Sequence, residues 1–342
     1  MNIDLSYLSN GKRVDFQVEA APDGRPAVTP RWDELPEIKD MVVSDQVTTT
    51  YGQALTLGVQ EGFEEIPLLG GSIYDSKTNA NYPKLIPGDE FVNGVCAFAE
   101  VKEGEEIPFG TVEKKVMDAL AIKGYAVGFQ FTKEARMFGN TGELSQKWSR
   151  ALGKAHNALR NHLRFYPIIS ETYNGDNATS VSYMKADGTA GDSSAYALEQ
   201  TVYATLLKGI KKCKAMKRPA SVIVCAAADE DVIRECVERG TMYGTKSKGP
   251  LSAAGIKKIE VYDGASLVVG GETTTYTGVT AGAVYLVRPL LGFFERVKQD
   301  LLIDVGDADK SRLVENEVIA DAWLGVYAKP LLNVQKLAIP TE

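Results

Sequence analysis

The sequence contains little histidine and little cysteine, the residues on which many metal centres and nucleophilic sites depend. Its 342 residues include two histidines, His156 and His162, whose spacing places them on different faces of a helix, so they cannot share a metal ion. Four cysteines are too few for a disulfide framework in a chain of this length, and we expect free thiols. None of them forms a Cys-x-x-Cys pair: Cys96, Cys213, Cys225 and Cys236.

Catalytic and phosphate-binding motifs are also missing. The sequence has no Gly-x-Ser-x-Gly, His-Glu-x-x-His, Walker A or Gly-x-Gly-x-x-Gly motif. Gly270-Gly271, between β-branched residues, is more typical of a hairpin turn than of a ligand loop. The sequence leaves a catalytic Asp/Glu pair open, because it does not report how far apart two carboxylates lie. We expect no cofactor, no metal ion and no enzymatic activity.

Long apolar runs are absent as well. The longest, Gly282–Phe294, is interrupted by Arg288 and Pro289 and is shorter than the roughly 20 residues that a membrane-spanning helix needs. The N-terminal residues lack the apolar core of a secretory signal. The formal net charge of −7 gives no support to a basic nucleic-acid-binding protein. With 44% hydrophobic and 24% charged residues, the composition is that of an ordinary folded protein.

The first 80 residues carry scattered prolines and only weak periodicity. Such a segment cannot bury much of itself. We expect either a flexible tail or an arm that becomes ordered on another surface.

A long β-hairpin is predicted next. Apolar residues occupy even positions up to Ile122 and odd positions from Tyr125 onward. A change of phase beside Gly124 predicts a bulge or bend in a long strand. Phe91–Ala99 also favours a strand, and the acidic stretch Glu100–Gly110 connects the two. This hairpin is too polar to have a core of its own and needs a partner surface.

The strongest helix prediction covers about six turns, from Glu143 to Arg164, because apolar residues repeat every three or four positions. Asn140 is the predicted cap and Tyr166-Pro167 the predicted end. The apolar stripe predicts packing on a sheet, with a basic back that is usually just solvated. The basic residues on the other faces are Lys147, Arg150, Lys154, Arg160 and Arg164.

A small α/β lobe follows the polar loop Glu171–Ser194. The pattern predicts a helix over about Ala195–Met216, a buried strand over Ser221–Ala228, a short helix and a strand over Lys257–Tyr262. In the short helix, Asp229 is the predicted cap and Gly240 the predicted end. Further strands are predicted over residues 283–287, 293–303, 312–329 and 331–339.

The run AFAEVKEGEEIPFGTVEKKVMDALAIKGYAVGFQFTKEARMFGN (Ala97–Asn140), followed by the helix from Glu143, resembles the major capsid proteins of tailed bacteriophages, the Hong Kong 97-like fold. That family often shows an Ala-aromatic-x-x-(Glu)-Gly-x-x-Ile-Pro stretch in its hairpin loop. The order of the predicted elements is similar over nearly the whole chain. The residues that match the stretch are Ala97, Phe98, Glu103, Gly104, Ile107 and Pro108.

The resemblance implies an α+β fold of the Hong Kong 97-like kind, with an N-terminal arm, an extended β-hairpin loop, a peripheral domain with a long spine helix, and an α/β axial domain. The implied boundaries are 1–83 for the arm, 84–124 for the hairpin loop, 125–194 for the peripheral domain, 195–289 for the axial domain and 290–342 for the return strands.

The resemblance also implies a function. Such subunits form hexamers and pentamers that close into an icosahedral shell around double-stranded phage DNA, so the implied location is the virion, after assembly in the host bacterial cytoplasm. A portal protein is an implied partner. A separate scaffolding protein and no large N-terminal cleavage are expected, because the residues before the hairpin show no coiled pattern. A decoration protein is left open, no membrane is involved, and contact with DNA would be nonspecific attraction to phosphate.

Charge adds a hypothesis about assembly. Asp89–Lys115 contains seven acidic residues and three lysines. We expect this acidic loop to lie on basic surface of a neighbouring subunit, either the spine helix or the cluster Lys208–Arg218. The alternative is that both are solvated faces, since exposed ion pairs are each worth only about 0–1 kcal/mol. The loop residues expected to make the inter-subunit contacts are Glu100, Glu103, Glu105 and Glu106.

Three other functions are weighed against the capsid. An encapsulin-type nanocompartment shares the fold, but the long N-terminal arm and the loop Glu171–Ser194 disfavour it. A soluble α/β enzyme is disfavoured by the missing phosphate-binding turn and the scarcity of histidine. A phage tail or decoration component is disfavoured by the long basic helix.

Overall fold

The structure is a computed structural model. It describes the backbone of residues 7–9, 12–14, 16–20, 26–30, 58–95, 111–132, 141–243, 246–269, 272–306 and 314–341. Side chains are described for residues 58–86, 120–129, 147–241, 247–268, 273–303 and 319–341.

Helices and strands alternate in an α+β arrangement with several sheets. The helices are α1 (residues 58–65), α2 (Thr141–Ile169), α3 (Leu198–Ala215), α4 (Ala227–Glu238) and α5 (Pro330–Asn333). The first nine strands are β1 (Tyr7–Ser9), β2 (Lys12–Val14), β3 (Phe16–Ala20), β4 (Pro26–Pro30), β5 (Asp75–Thr78), β6 (Leu85–Val95), β7 (Thr111–Ala121), β8 (Lys123–Thr132) and β9 (Ala178–Thr179). The later strands are β10 (Val222–Cys225), β11 (Thr241–Tyr243), β12 (Lys246–Lys248), β13 (Lys258–Val261), β14 (Gly264–Val269), β15 (Glu272–Thr277), β16 (Ala283–Val287), β17 (Phe293–Gly306), β18 (Val314–Ala328) and β19 (Val334–Ala338).

Helix α2, called the spine helix below, packs on a four-stranded sheet of order β5-β17-β18-β8. Strands β17, β18 and β8 are antiparallel, whereas β5 joins the edge of β17 in parallel. The apolar stripe of the helix meets the sheet as predicted, with the Trp148 and Phe129 rings 5.5 Å apart and Leu152 buried beside Ala320.

The spine helix does not stop at Tyr166-Pro167, so that prediction is wrong. A proline in a helix removes one backbone hydrogen bond, but the helix continues to Ile169. Phe165 and Ile168 are both fully buried, and their burial holds the last turn in place. The amide of Ser170 then donates to the carbonyl oxygen of Tyr166 at 2.8 Å. The predicted cap, Asn140, lies outside the described residues.

The long hairpin and its change of phase are confirmed. Strands β6 and β7 pair in antiparallel fashion, from Leu85 opposite Ala121 to Val95 opposite Thr111. The strand breaks at Ile122, which is 2% exposed, and β8 then pairs with β18. Inward-facing residues therefore change from even to odd positions where the chain changes partner.

The α/β lobe is built on a five-stranded sheet of order β13-β10-β16-β19-β9. Strand β10 explains the apolar run of the sequence, because both of its faces are buried. Ile223 and Cys225 belong to the core under α3 and α4, whereas Val222 and Val224 face a second core shared with Phe165 of the spine helix.

Two details of the short helix α4 differ in outcome. Gly240 ends it as predicted, with a φ of 80° and its amide bonded to the carbonyl of Glu235. Asp229 is not the cap, because Ala226 holds that position. The carboxylate of Asp229 instead accepts from the amide of Gly282 at 2.8 Å, which ties α4 to the start of β16.

The two sheets are joined by a pair of adjacent connections, residues 288–292 and 329–333. The amide of Arg288 donates to the carbonyl of Asn333, and the amide of Lys329 donates to the carbonyl of Gly292. Leu290 and Leu291 on one connection and Leu331 and Leu332 on the other are all exposed. These four residues are called the leucine patch.

Candidate assembly surfaces

Residues 58–74 lie along the spine helix of the same chain. Helix α1 crosses it where both helices carry small residues, Gly58 and Gly62 against Ser149 and Gly153. A Cβ atom on Gly62 would lie 2.2 Å from the carbonyl oxygen of Arg150. The two backbones are therefore packed as closely as glycine allows.

Beyond α1, three side chains of the spine helix bind the backbone of residues 63–69. The amide of Asn157 donates to the carbonyl of Ile66 at 2.8 Å, and that of Asn161 donates to the carbonyl of Pro67 at 2.9 Å. Asn161 also accepts from the amide of Leu69 at 2.8 Å, and Arg164 donates to the Leu69 carbonyl. Asn157, Asn161 and Arg164 are all buried and are called the backbone-binding row.

A buried ion cluster lies under this row, centred on Glu295 of β17. Its carboxylate accepts from Arg160 Nε at 3.2 Å, Arg164 Nη2 at 2.5 Å and Ser76 Oγ at 2.6 Å. Burial alone would raise the pKa of Glu295, but the hydrogen bond and charge of Arg164, the charge of Arg160 and the bond from Ser76 lower it. The charge of Glu295 is thus compensated inside the subunit, and β5, β17 and the spine helix are joined at one point.

These contacts correct the prediction of a basic surface on the spine helix. Arg160 and Arg164 are 8% and 2% exposed, because their guanidinium groups pair with Glu295 rather than facing outward. Arg150 and Lys154 both form ion pairs with Glu65 of α1. Lys147, the remaining member, is exposed. The acidic loop residues predicted to meet this surface lie outside the described residues: Glu100, Glu103, Glu105 and Glu106.

The second basic cluster is on the C-terminal half of α3. Lys208, Lys211, Lys214 and Lys217 are exposed, and within the described side chains none of them lies in an ion pair. They recur at every third position, and we call them the lysine face. Lys212 is directed elsewhere, since its ammonium donates to the carbonyls of Gly175 and Ala178, at 2.9 Å each.

The two histidines have different surroundings on the spine helix. His156 is buried beside Phe63, with both ring nitrogens lacking a hydrogen-bond partner. Burial and the charge of Arg160 lower its pKa, although Asp300 opposes the shift. His162 stacks on Tyr276 with ring centroids 4.7 Å apart. Over the part of the chain that the structure describes, no three His, Cys, Asp or Glu side chains come together as a metal site.

Three of the cysteines lie in the core of the α/β lobe. Cys213, Cys225 and Cys236 are free and buried, as expected, whereas Cys96 lies outside the described residues. Burial raises the pKa of Cys213 to about 11 and those of Cys225 and Cys236 to about 12. No helix among the described residues is both long and apolar enough to cross a membrane.

Sequence reasoning missed the backbone-binding row and the buried ion cluster. Two signals for them were present. Asn157, Asn161 and Arg164 recur at helical spacing, which places them on one stripe. Glu295 occupies an inward position between Phe293 and Val297 on β17, and both of those neighbours are buried. A carboxylate at a core position of a strand predicts a buried cation nearby.

Solved structures similar to this chain include capsid proteins. A chain from the mature capsid of bacteriophage PhiM1 matches with a TM-score of 0.50 and 8% sequence identity, covering 78% of this chain and 86% of that chain. This chain has a capsid fold. The resemblance stated from the sequence is confirmed for the fold, as is the α+β class.

Two further matches have lower TM-scores. A capsid chain of cyanophage P-SCSP1u matches with a TM-score of 0.49 and 11% identity, covering 79% of this chain and 87% of that chain. The virus-like particle from Pyrococcus furiosus matches with a TM-score of 0.46 and 9% identity, covering 84% and 99%. No protein-family model and no curated protein sequence matches the capsid-fold chain.

Proposed function

We propose that the chain is a major capsid protein, a structural subunit without enzymatic activity that assembles into a closed shell. The observation that carries the proposal is the fold shared with the mature capsid chain of PhiM1. In the finer form of the proposal, subunits make hexamers and pentamers of an icosahedral shell that encloses double-stranded DNA in a virion. A scaffolding protein and a portal protein assist assembly in the host cytoplasm.

Two features of the single subunit support self-association. The leucine patch exposes four large apolar side chains on adjacent connections, and contiguous exposed apolar surface is typical of an interface. The β6–β7 hairpin has 11 residues in each strand, and an isolated two-stranded hairpin is marginally stable in water. Both gain stability if neighbouring subunits cover them.

The division into an arm, hairpin loop, peripheral domain and axial domain is part of the proposal. Within the arm, residues 58–78 lie on the spine helix and β17 of their own chain. We propose that the part of the arm that contacts other subunits precedes residue 58. In the hairpin loop, Glu100, Glu103, Glu105 and Glu106 are the proposed contacts with a neighbouring subunit.

Negative-stain electron microscopy tests the proposal. The protein is purified after expression alone and after co-expression with its genomic neighbours. Uniform closed shells, capsomer-sized rings or tubes are the expected result. Monomers or dimers under every condition would contradict the proposal, and an enzyme cargo inside the shells would identify a nanocompartment instead of a virion.

A further inference from the structure

The lysine face carries positive charge that the described part of the subunit does not neutralise. Most other buried or half-buried cations have an internal partner: Arg164 pairs with Glu295, Arg296 with Asp75 and Lys154 with Glu65. By contrast, the lysine face has an exposed cation at every third position of α3. Like charges three residues apart on a helix repel each other, so this arrangement costs stability in the isolated subunit.

The backbone at Lys217 adds to that cost. Lys217 has a φ of 57°, in the left-handed region where a helix end normally has glycine or asparagine. The turn is completed by the amide of Lys217 on the carbonyl of Lys214 and the amide of Arg218 on that of Cys213. A lysine in this conformation is strained, and retained strain is typical of functional positions. The lysine face is therefore a candidate site for an anionic partner.

The chain itself supplies an anionic segment in equal numbers. Residues 100–106 contain four glutamates and one lysine. They lie beyond the end of the β6–β7 ladder, whose 11 paired positions span about 35 Å at roughly 3.3 Å per residue. The base of the hairpin contacts the body where Gly325 lies against the carbonyl oxygen of Ala121. The ladder thus carries the acidic segment to its far end.

We infer that the lysine face of one subunit binds the acidic segment 100–106 of a second copy of this chain. The inference rests on the proposed function, because it needs subunits packed side by side. It also resolves the choice left by the sequence between two basic surfaces, since the arginines of the spine helix are used inside the subunit. The acidic segment is favoured over duplex DNA because the whole chain carries a net charge of −7, which repels phosphate.

Zero-length carbodiimide crosslinking of assembled shells tests the contact directly. Shells are assembled from a mixture of ¹⁴N and ¹⁵N subunits, and crosslinked peptides are identified by mass spectrometry. The expected products join Glu100, Glu103, Glu105 or Glu106 to Lys208, Lys211, Lys214 or Lys217, with both isotopes in one product. Isotopically unmixed products, or glutamates joined to Lys147, would overturn the inference and leave the shell intact as a proposal. Failure to form any assembly would overturn both.

Charge exchange provides a second readout. Reversal of three acidic residues (Glu103→Lys, Glu105→Lys, Glu106→Lys) is expected to lower the yield of closed shells by about tenfold or more, because like charges then face each other. Reversal of Lys208, Lys211 and Lys214 to Glu is expected to do the same, and the sixfold variant should recover assembly. Circular dichroism and thermal unfolding check that each subunit is folded.

The matched control reverses three exposed lysines outside the face, Lys123→Glu, Lys185→Glu and Lys298→Glu. Combined with the acidic-loop reversal, it should not recover assembly. Normal shells from either single-surface reversal would contradict the inference. If the lysine-face variant forms normal shells that fail to retain DNA, the face binds nucleic acid instead.

Lys217→Gly separates the cost of the strained position from its use. Glycine adopts a positive φ without strain, so this variant is expected to raise the unfolding temperature of the subunit. Its assembly yield should fall, because one cation of the face is lost. A variant that is both more stable and fully competent in assembly would show that Lys217 takes no part in the contact.

Discussion

Gly62 and Gly153 face each other where α1 crosses the spine helix. A Cβ atom on Gly62 would lie 3.0 Å from the Cα atom of Gly153, and a Cβ atom on Gly153 would lie 2.2 Å from the carbonyl oxygen of Val59. Because the nearest atoms belong to the backbone, no side-chain rotation can make room. The crossing therefore fixes the position of α1 on the helix.

Gly153→Ala is expected to destabilise the subunit by about 1–3 kcal/mol, the usual cost of overpacking. Alanine is otherwise the better helix former by about 1 kcal/mol, so the sign of the change reports the crossing. Urea unfolding measures the free energy, and hydrogen exchange of residues 58–69 should increase. Gly71→Ala is the control, because a Cβ there meets nothing within 4 Å. A stabilised Gly153→Ala protein would contradict the close contact.

Glu295→Gln is expected to cost about 3–5 kcal/mol, because it leaves the Arg160 and Arg164 charges buried without a counter-ion. Urea unfolding again provides the measurement. Since the pKa of Glu295 is lowered in the folded protein, its stabilising contribution is present above the ordinary pKa of 4.5 and is lost as the pH falls below it. The variant should lack that part of the acid dependence. Glu230→Gln, in an exposed pair with Arg234, should change stability little.

His156 should make the subunit sensitive to mild acid. Its pKa is lowered from 6.5 by burial and by Arg160, so the unfolded chain binds a proton more readily than the folded one. Stability contributed by the neutral ring is complete above pH 6.5 and is lost as the pH falls, by at most about 1.4 kcal/mol per pH unit. Urea unfolding between pH 5 and 7.5 measures this slope.

The second histidine serves as the matched control for this pH dependence. His156→Gln should flatten the slope, whereas His162→Gln should keep most of it, because His162 is half-buried and His156 is 6% exposed. The reverse result would assign the pH dependence to the wrong ring. An equal slope in the wild type and in both variants would show that neither histidine is responsible.

Cys213, Cys225 and Cys236 should resist alkylation in the native protein. Each is buried, and the pKa values of about 11 to 12 leave almost no thiolate at pH 8. Peptide mass spectrometry after iodoacetamide treatment should find these three unmodified in buffer and fully modified in denaturant. Rapid native labelling of any of them would contradict the burial of that thiol.

Much of the architecture could be predicted from local patterns. The spine helix follows from its apolar repeat, and the break at Ile122 follows from the change between even and odd apolar positions. The continuous apolar run of β10 reflects burial on both faces. These features are readable because each depends on residues close together in the sequence.

The features that were mispredicted depend on distant residues. Arg160 and Arg164 looked like part of a solvated face because their partner, Glu295, is more than 130 positions away. Asp229 looked like a helix cap, but it binds Gly282 of a different segment. Pro167 looked like a helix end, yet burial of Phe165 and Ile168 outweighs the lost hydrogen bond. Tertiary contacts decide all three, and local propensity cannot report them.

The backbone-binding row has a consequence for how this protein can evolve. Asn157, Asn161 and Arg164 bond to main-chain atoms of residues 63–69, and main-chain atoms are almost the same for every amino acid. Substitutions in that segment can therefore accumulate while its path along the helix stays constant. Proline at position 69 is an exception, because it has no amide hydrogen to give Asn161. Sequence drift in this stretch should thus be wide in residue type and narrow in length.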